Sequence, residues 1–184
     1  MQREDIERYL TMLGEVLEEL GVQNTIRLLM IGGGYMLTQI GNRELTRDVD
    51  VLVRDIPDRE RSEDYSILSN AVRVVADDAG IDDDWMSDNM GEFLASVGKV
   101  PNGKLWRKFG RRLEVYVPPE DFMLANKILA GREKDLDDAR ALMLDLNIKT
   151  RKQVQKVVDK YIKRKDVQDI HGVPLALDRL FPDG

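Results

Sequence analysis

Two aspartates two positions apart, Asp48 and Asp50, stand in the run Asp48-Val49-Asp50-Val51-Leu52-Val53, downstream of the consecutive glycines Gly32, Gly33 and Gly34. The β-branched, alternating run predicts a strand. Side chains alternate across a strand, so both carboxylates emerge on one face while Val49 and Val51 enter the core. Two like charges side by side are costly unless a cation lies between them. A hard divalent ion such as Mg²⁺ fits that place and keeps positions open for phosphate oxygens. Such an ion can activate an attacking hydroxyl and stabilise a leaving pyrophosphate. Upstream, the glycines let the backbone approach a phosphate closely, and the helix start that follows presents free N–H groups with a partial positive charge. The same residues also fit plainer roles: a tight turn without a ligand, and a carboxylate pair solvated at a strand edge or bonded to Arg43 or Arg47.

The elements that must position these groups follow from the pattern of apolar residues. Ile6, Leu10, Leu13, Val16, Leu17 and Leu20 recur at helical spacing until Gly21. The short apolar run from Ile26 to Ile31 predicts a buried strand, broken by Gly32 to Gly34. Tyr35 to Ile40 reads as the start of a helix that Gly41-Asn42 ends. Residues 62–79 read as a helix with Ser62 as N-cap and Gly80 as stop. The stretch from Ile81 to Gly103 shows no clear period. Leu105–Phe109 and Leu113–Val117, joined by Gly110-Arg111-Arg112, predict a hairpin. Pro118-Pro119 opens a helix through Ala130. A second helix is expected over about Leu136 to Leu146, and a third over Arg151 to Arg164, begun by Thr150 with Gln153 in capping-box spacing. The order, mixed strands and helices and then helices only, predicts an α+β fold with a helical C-terminal part.

Composition narrows the chemistry. The chain has 184 residues, enough for one domain with a helical appendage. It has no cysteine, which excludes thiolate metal sites and cysteine nucleophiles, and a single histidine, His171, which argues against histidine-based zinc ligation. His171 reads as incidental and the eight methionines as core filler. Carboxylates, lysines, arginines and a bound ion must therefore carry any catalysis. No apolar run approaches the ~18 residues that span a bilayer, and the N-terminus lacks a secretory pattern, so the expected compartment is the cytoplasm.

The net charge of −6 argues against a dedicated nucleic-acid binder, yet residues 149–165 hold eight basic residues against one acid, Asp159. Lys149, Lys152, Lys156, Lys160 and Lys163 share one helix face opposite Val154, Val157, Val158 and Tyr161. That face is either simply solvated or a contact for an RNA phosphate backbone. Trp106, Arg107, Lys108, Arg111 and Arg112 add basic and aromatic character on the hairpin.

The combination of a glycine turn, a helix and then Asp-x-Asp on the next strand resembles the nucleotidyltransferase superfamily of DNA polymerase β type. Residues 118–142 are similar to the Lys…Arg-x-Lys-Asp-x-x-Asp segment of its small AbiEii/MenT-like branch, with Lys127, Arg132, Lys134, Asp135 and Asp138 in the matching positions. The resemblance covers roughly residues 26–142. It implies a nucleotidyltransferase fold, a short mixed β-sheet flanked by helices, over residues 1–147, with a helical extension over 148–184 packed on it. It also implies metal-dependent transfer of a nucleoside monophosphate from an NTP to a hydroxyl acceptor, RNA, tRNA or protein. A place in a toxin–antitoxin or phage-defence system, with an antitoxin protein as partner, is implied in the same way.

On that resemblance Asp48 and Asp50 bind Mg²⁺ and Gly32 and Gly33 cradle the triphosphate. Lys127 joins the catalytic set, and Arg132, Lys134 and Asp135 belong to the nucleotide site. Many superfamily members place a third carboxylate on a neighbouring strand. Glu114, alternating out of the apolar face of Leu113 to Val117, is the first candidate here and Asp88 the second. Plainer roles compete in the downstream segment as well. Asp135 fits a helix N-cap with Asp138 three residues on, Lys127 fits a surface lysine with a buried stem, and Arg132 fits a cation after the Gly131 stop. The alternative at the level of function is a catalytically degenerate member of the fold, serving as a binding or regulatory module.

Overall fold

A computed structural model describes residues 1–56 and 61–182. The chain divides into two compact units, one formed by residues 1–91 and 102–117 and the other by residues 92–101 and 118–184. The helices over 118–147 thereby share a unit with the C-terminal segment that the sequence pattern sets apart.

The first unit holds a five-stranded mixed sheet. Its strands are β1 (Ile26–Met30), β2 (Val49–Arg54), β3 (Met86–Ser87), β4 (Lys104–Phe109) and β5 (Leu113–Val117), in spatial order β3-β2-β1-β5-β4. β1 pairs antiparallel with β2 and parallel with β5, β2 pairs parallel with β3, and β4 pairs antiparallel with β5. The central strand is fully apolar except for Arg27, as expected for a strand enclosed on both faces. Two long helices pack against one another, α1 (Arg3–Glu19) and α3 (Glu63–Ala79), and α1 also lies against β4 and β5. The approach of α1 to β4 is close enough that a Cβ on Gly14 would overlap the carbonyl of Phe109. At the start of α3 the hydroxyl of Ser62 accepts from Tyr65 N–H at 3.3 Å, and Gly80 ends the helix in the left-handed region, φ 64°. Both caps are as the sequence predicts.

Between β1 and β2 the chain differs from expectation. The glycines do not form a turn ahead of a helix. They are the first turn of a short helix, α2 (Gly32–Tyr35), which continues as a π-helical segment over Met36–Ile40 and stops at Gly41, φ 72°. Wide turns of this kind are rare and concentrate at functional sites. The strand that follows begins at Val49, so Asp48 lies just before it. The region without a clear period resolves into a 3₁₀ turn over Asp83–Trp85, the two-residue strand β3, and α4 (Gly91–Val97). Its anchor is Trp85, which is buried and donates its indole N–H to the carbonyl of Val72 at 3.0 Å.

The second unit is helical: α4, α5 (Glu120–Ala130), α6 (Glu133–Asp145), α7 (Arg151–Tyr161), α8 (Lys165–Ile170) and α9 (Val173–Leu180). The last two lie beyond the helices that the sequence pattern predicts. Helix α5 packs on α6, α7 and α9. A capping box opens α7, where Thr150 Oγ accepts from Gln153 N–H and Gln153 Oε1 accepts from Thr150 N–H at 3.0 Å. His171 sits edge-on against Phe93, ring centroids 5.1 Å apart. No helix among the described residues is long and apolar enough to cross a membrane.

Candidate functional site

Asp50 is the second residue of β2, and its carbonyl accepts from Ile31 N–H at 2.9 Å, which ties the strand to the residue just before the glycines. Its carboxylate lies over that first helical turn: a Cβ on Gly32 would overlap Asp50 Oδ2. Gly32 also has a φ of 60°, a conformation that side chains other than glycine adopt at a cost. The next residue is equally confined, since a Cβ on Gly33 would overlap Thr46 Oγ1 and come within 3.7 Å of Arg43 Nη1. Thr46 is buried, and its hydroxyl donates to the carbonyl of Asp48 at 3.0 Å. The glycines, Thr46, Asp48 and Asp50 therefore form one local assembly. Asp48 and Asp50 are both half-buried, and Val49 between them is fully enclosed, as the alternation predicts.

Thr46 was not legible as part of this assembly. The Arg43-to-Thr46 segment carries no recognisable spacing, and only the return of the chain past the glycines brings it there.

This donor set can be tested for a metal. A Mg²⁺ ion is typically held by one or two carboxylates together with substrate phosphates and water. Two half-buried carboxylates near a helical turn built of glycines fit an ion that arrives with its polyphosphate. They do not amount to a preformed cage. Among the described residues no group of three or more histidine, cysteine, aspartate or glutamate side chains is arranged to hold a metal.

Glu114, the first candidate for a third carboxylate, does not join the pair. Glu114 pairs with Arg27 in the β1–β5 register, whereas Asp50 bonds to Ile31, four residues further along β1. Alternation puts Glu114 and Asp50 on the same face, but with a strand between them they are separated by about 16 Å. Glu114 is also engaged where it stands. It takes Lys108 Nζ at 2.7 Å, the Tyr116 hydroxyl at 2.9 Å and Arg27 Nε at 3.3 Å. The Lys108 contact, and after it the Tyr116 hydrogen bond, hold its carboxyl below the usual range, so it is a weak base. Asp88 follows Ser87, the register partner of Asp50 in β3, and accepts the Tyr65 hydroxyl at 2.9 Å.

The remaining expected site residues lie in the helical unit. Lys127, on α5, is buried with its ammonium 3.0 Å from Asp135 Oδ1 and 2.8 Å from Asp138 Oδ2, both carboxylates on α6 and both enclosed. Asp135 accepts a second cation, Arg132 Nε at 2.5 Å. Lys127 is thus no snorkelling surface lysine. Asp135 is not the N-cap either: that position belongs to Arg132, and Asp135 stands three residues on. Burial raises the Asp135 carboxyl, but the Arg132 hydrogen bond and the Lys127 charge outweigh it and hold the group below the ordinary carboxylate value. Arg132 and Lys134 are exposed.

Of the expected basic face, Lys152, Lys156 and Lys160 lie on α7 and Lys149 and Lys163 flank it; Lys160 is bound to Asp121 and lies over the Tyr161 ring, 4.7 Å from its centroid. Among the described residues Lys149, Lys152, Lys156 and Lys163 make no ion pair, while Val154 and Val158 opposite them are fully buried. On the hairpin most cations are paired, Arg107 to Glu7, Lys108 to Glu114 and Arg111 to Glu18.

Comparison of the chain with protein-family models, with curated proteins and with solved structures finds no match in any of the three.

Proposed function

We propose that this chain is a nucleotidyltransferase that moves a nucleoside monophosphate from an NTP to a hydroxyl acceptor. One observation carries the reading: the Asp50 carboxylate is seated directly on the first, glycine-built turn of α2. Glycines that admit backbone to a polyphosphate, next to a carboxylate pair suited to Mg²⁺, are the elements that phosphoryl chemistry needs. The resemblance of residues 26–142 to the AbiEii/MenT-like branch points the same way.

In this reading the acceptor oxygen forms a bond to the α-phosphorus and the bond from that phosphorus to the bridging oxygen of the β-phosphate breaks. Pyrophosphate leaves, and the acceptor proton goes to solvent or to a base on the acceptor. Asp48 and Asp50 would hold Mg²⁺, which when bound neutralises charge on the triphosphate and on the leaving pyrophosphate. The backbone at Gly32 and Gly33 supplies N–H donors. Arg132 and Lys134, both exposed on the helical unit, enter this reading through the resemblance alone. Lys127 and Asp135 act indirectly, because each is enclosed: Asp135 fixes the Arg132 guanidinium, and Lys127 holds Asp135 and Asp138 in place. The acceptor we favour is RNA, with tRNA the first to test, because Lys152 and Lys156 on α7 and Lys149 and Lys163 flanking it make no ion pair among the described residues. A protein acceptor, an antitoxin partner and a cytoplasmic toxin–antitoxin or phage-defence setting belong to the same proposal through the resemblance alone.

A second reading has an observation of its own. With Glu114 engaged elsewhere and no group of three or more histidine, cysteine, aspartate or glutamate side chains arranged for a metal among the described residues, the chain would bind an NTP without transferring it, as a regulatory module. Calorimetric titration of each NTP with Mg²⁺, alongside transfer of α-labelled NTP to total tRNA, separates the two. Binding and transfer, both lost in Asp50→Asn with the fold intact, support the transferase. Binding without label transfer to RNA or protein supports the module, and the absence of any NTP binding overturns both.

A further inference from the structure

The end of β2 remote from Asp50 carries a second polar cluster that the proposed chemistry does not use. Arg27 and Arg54 are direct partners across the antiparallel β1–β2 pair, where like charges weaken a sheet. With Asp55, Asn102 and Tyr116 they line an open pocket of about 250 Å³. Arg27 is neutralised, with Nη1 3.0 Å from Asp55 and Nε 3.3 Å from Glu114. Arg54 is not. It is half-buried, and among the described residues its guanidinium donates to one acceptor, Asn102 Oδ1 at 3.0 Å, and pairs with no carboxylate. The Asn102 amide nitrogen likewise has no acceptor among the described residues. Asn102 is held there by Gly103, φ 78°, which leaves so little room that a Cβ would come within 2.7 Å of both Leu29 and the Val117 carbonyl. Asp55 closes the rim in a left-handed backbone conformation, φ 62°.

From this geometry we infer that the pocket is a phosphate site, in which Arg54 and the Asn102 amide bind an oxyanion beside Arg27. A guanidinium presents several N–H donors in a planar fork that matches phosphate oxygens two at a time, and Arg54 uses one of its nitrogens. An anion there also relieves the repulsion between the two cross-strand arginines. Three cations, Arg27, Arg54 and Lys108, meet two carboxylates, Asp55 and Glu114, so the cluster retains a positive balance. Arg54 lies four residues along β2 from Asp50, about 13 Å. One phosphate group therefore cannot touch both, and the pocket is a separate site whose occupancy does not depend on transfer chemistry.

The test is a titration of the ¹⁵N-labelled full chain with inorganic phosphate at constant ionic strength, read from the Arg54 Nε–H and Asn102 side-chain amide resonances. Saturable shifts at these two groups are expected, with an apparent Kd at least tenfold weaker in Arg54→Ala and an intermediate loss in Arg54→Lys, which keeps the charge but not the fork. Asp50→Asn should leave the phosphate Kd unchanged, so failure of the transferase reading and failure of this one are distinguishable. A mononucleotide and a 5′-phosphorylated oligoribonucleotide, titrated in the same way, identify the source of the group by which binds more tightly than free phosphate. Shifts spread over surface cations without saturation, or the same Kd in Arg54→Ala, overturn the site. Should Arg54→Ala fail to fold, Asn102→Ala on the exposed loop decides: an unchanged Kd there overturns it as well.

Discussion

The Asp50 carboxylate occupies the space that a side chain at Gly32 would require. The relationship joins two positions that the sequence separates by a helix and a loop. It makes the glycine and the acid a single structural unit, and its disruption can be measured from either side.

From the glycine side, Gly32→Ala should be costly twice over. The φ of 60° strains any L side chain, and the new Cβ must displace the carboxylate. A loss of about 2–4 kcal/mol in denaturant unfolding is expected, together with loss of NTP binding at temperatures where the variant remains folded. A variant as stable as the wild type with unaltered NTP affinity would show that the seating of Asp50 on the turn has no role.

Glu114 supplies the contrasting case. It is bound to Lys108, Tyr116 and Arg27 at a distance from the Asp48–Asp50 pair. Glu114→Gln should therefore leave NTP affinity and any transfer rate within about twofold, with a stability change of about 1 kcal/mol for the weakened hydrogen bonds. A large fall in transfer rate at unchanged stability would place Glu114 in the catalytic set after all.

Lys127 holds two enclosed carboxylates, so its removal leaves both without their shared cation. Lys127→Ala is expected to destabilise the chain by about 3–5 kcal/mol, the range for breaking a buried ion pair from one side. Truncating all three residues together, with Asp135→Ala and Asp138→Ala, should cost less than the sum of the single losses. Equilibrium urea unfolding of the single and combined variants measures this, and strict additivity would mean that the three do not act as a cluster.

The same cluster sets an acid response. Because the folded Asp135 carboxyl titrates below its unfolded value, it contributes stability that is fully present above pH ~4 and is lost as pH falls through the folded value. Arg132→Ala removes one source of that depression. The acid-unfolding midpoint followed by circular dichroism should then move to higher pH than in the wild type. A midpoint unchanged or moved downward would mean that Arg132 does not hold the carboxylate.

Much of the architecture was legible because it is local. The apolar period of α1, the Ser62 cap and Gly80 stop of α3, the hairpin around Gly110 and the Thr150–Gln153 box of α7 are each written within a few residues, where backbone propensity and capping act. The helix begins at Gly32 and not at Tyr35, where the pattern predicts it, because glycine is a poor helix former and gives no local signal for one. Residues 81–103 stayed obscure for a related reason: Trp85 and the two-residue β3 are ordered by tertiary partners, not by period.

The candidate site divides along the same line. Alternation alone predicts Val49 buried between two less enclosed aspartates, and Asp48 and Asp50 are half-buried on either side of it, since the period of a strand is a local property. What the tertiary structure decided was everything that needs two distant segments to meet. It seated Asp50 on Gly32, brought Thr46 against Gly33, enclosed Lys127 between Asp135 and Asp138, and kept Glu114 apart from the aspartates. Strand register governs that last point: a glutamate alternating out of an apolar strand can lie anywhere along the sheet, and only pairing with β1 fixes where.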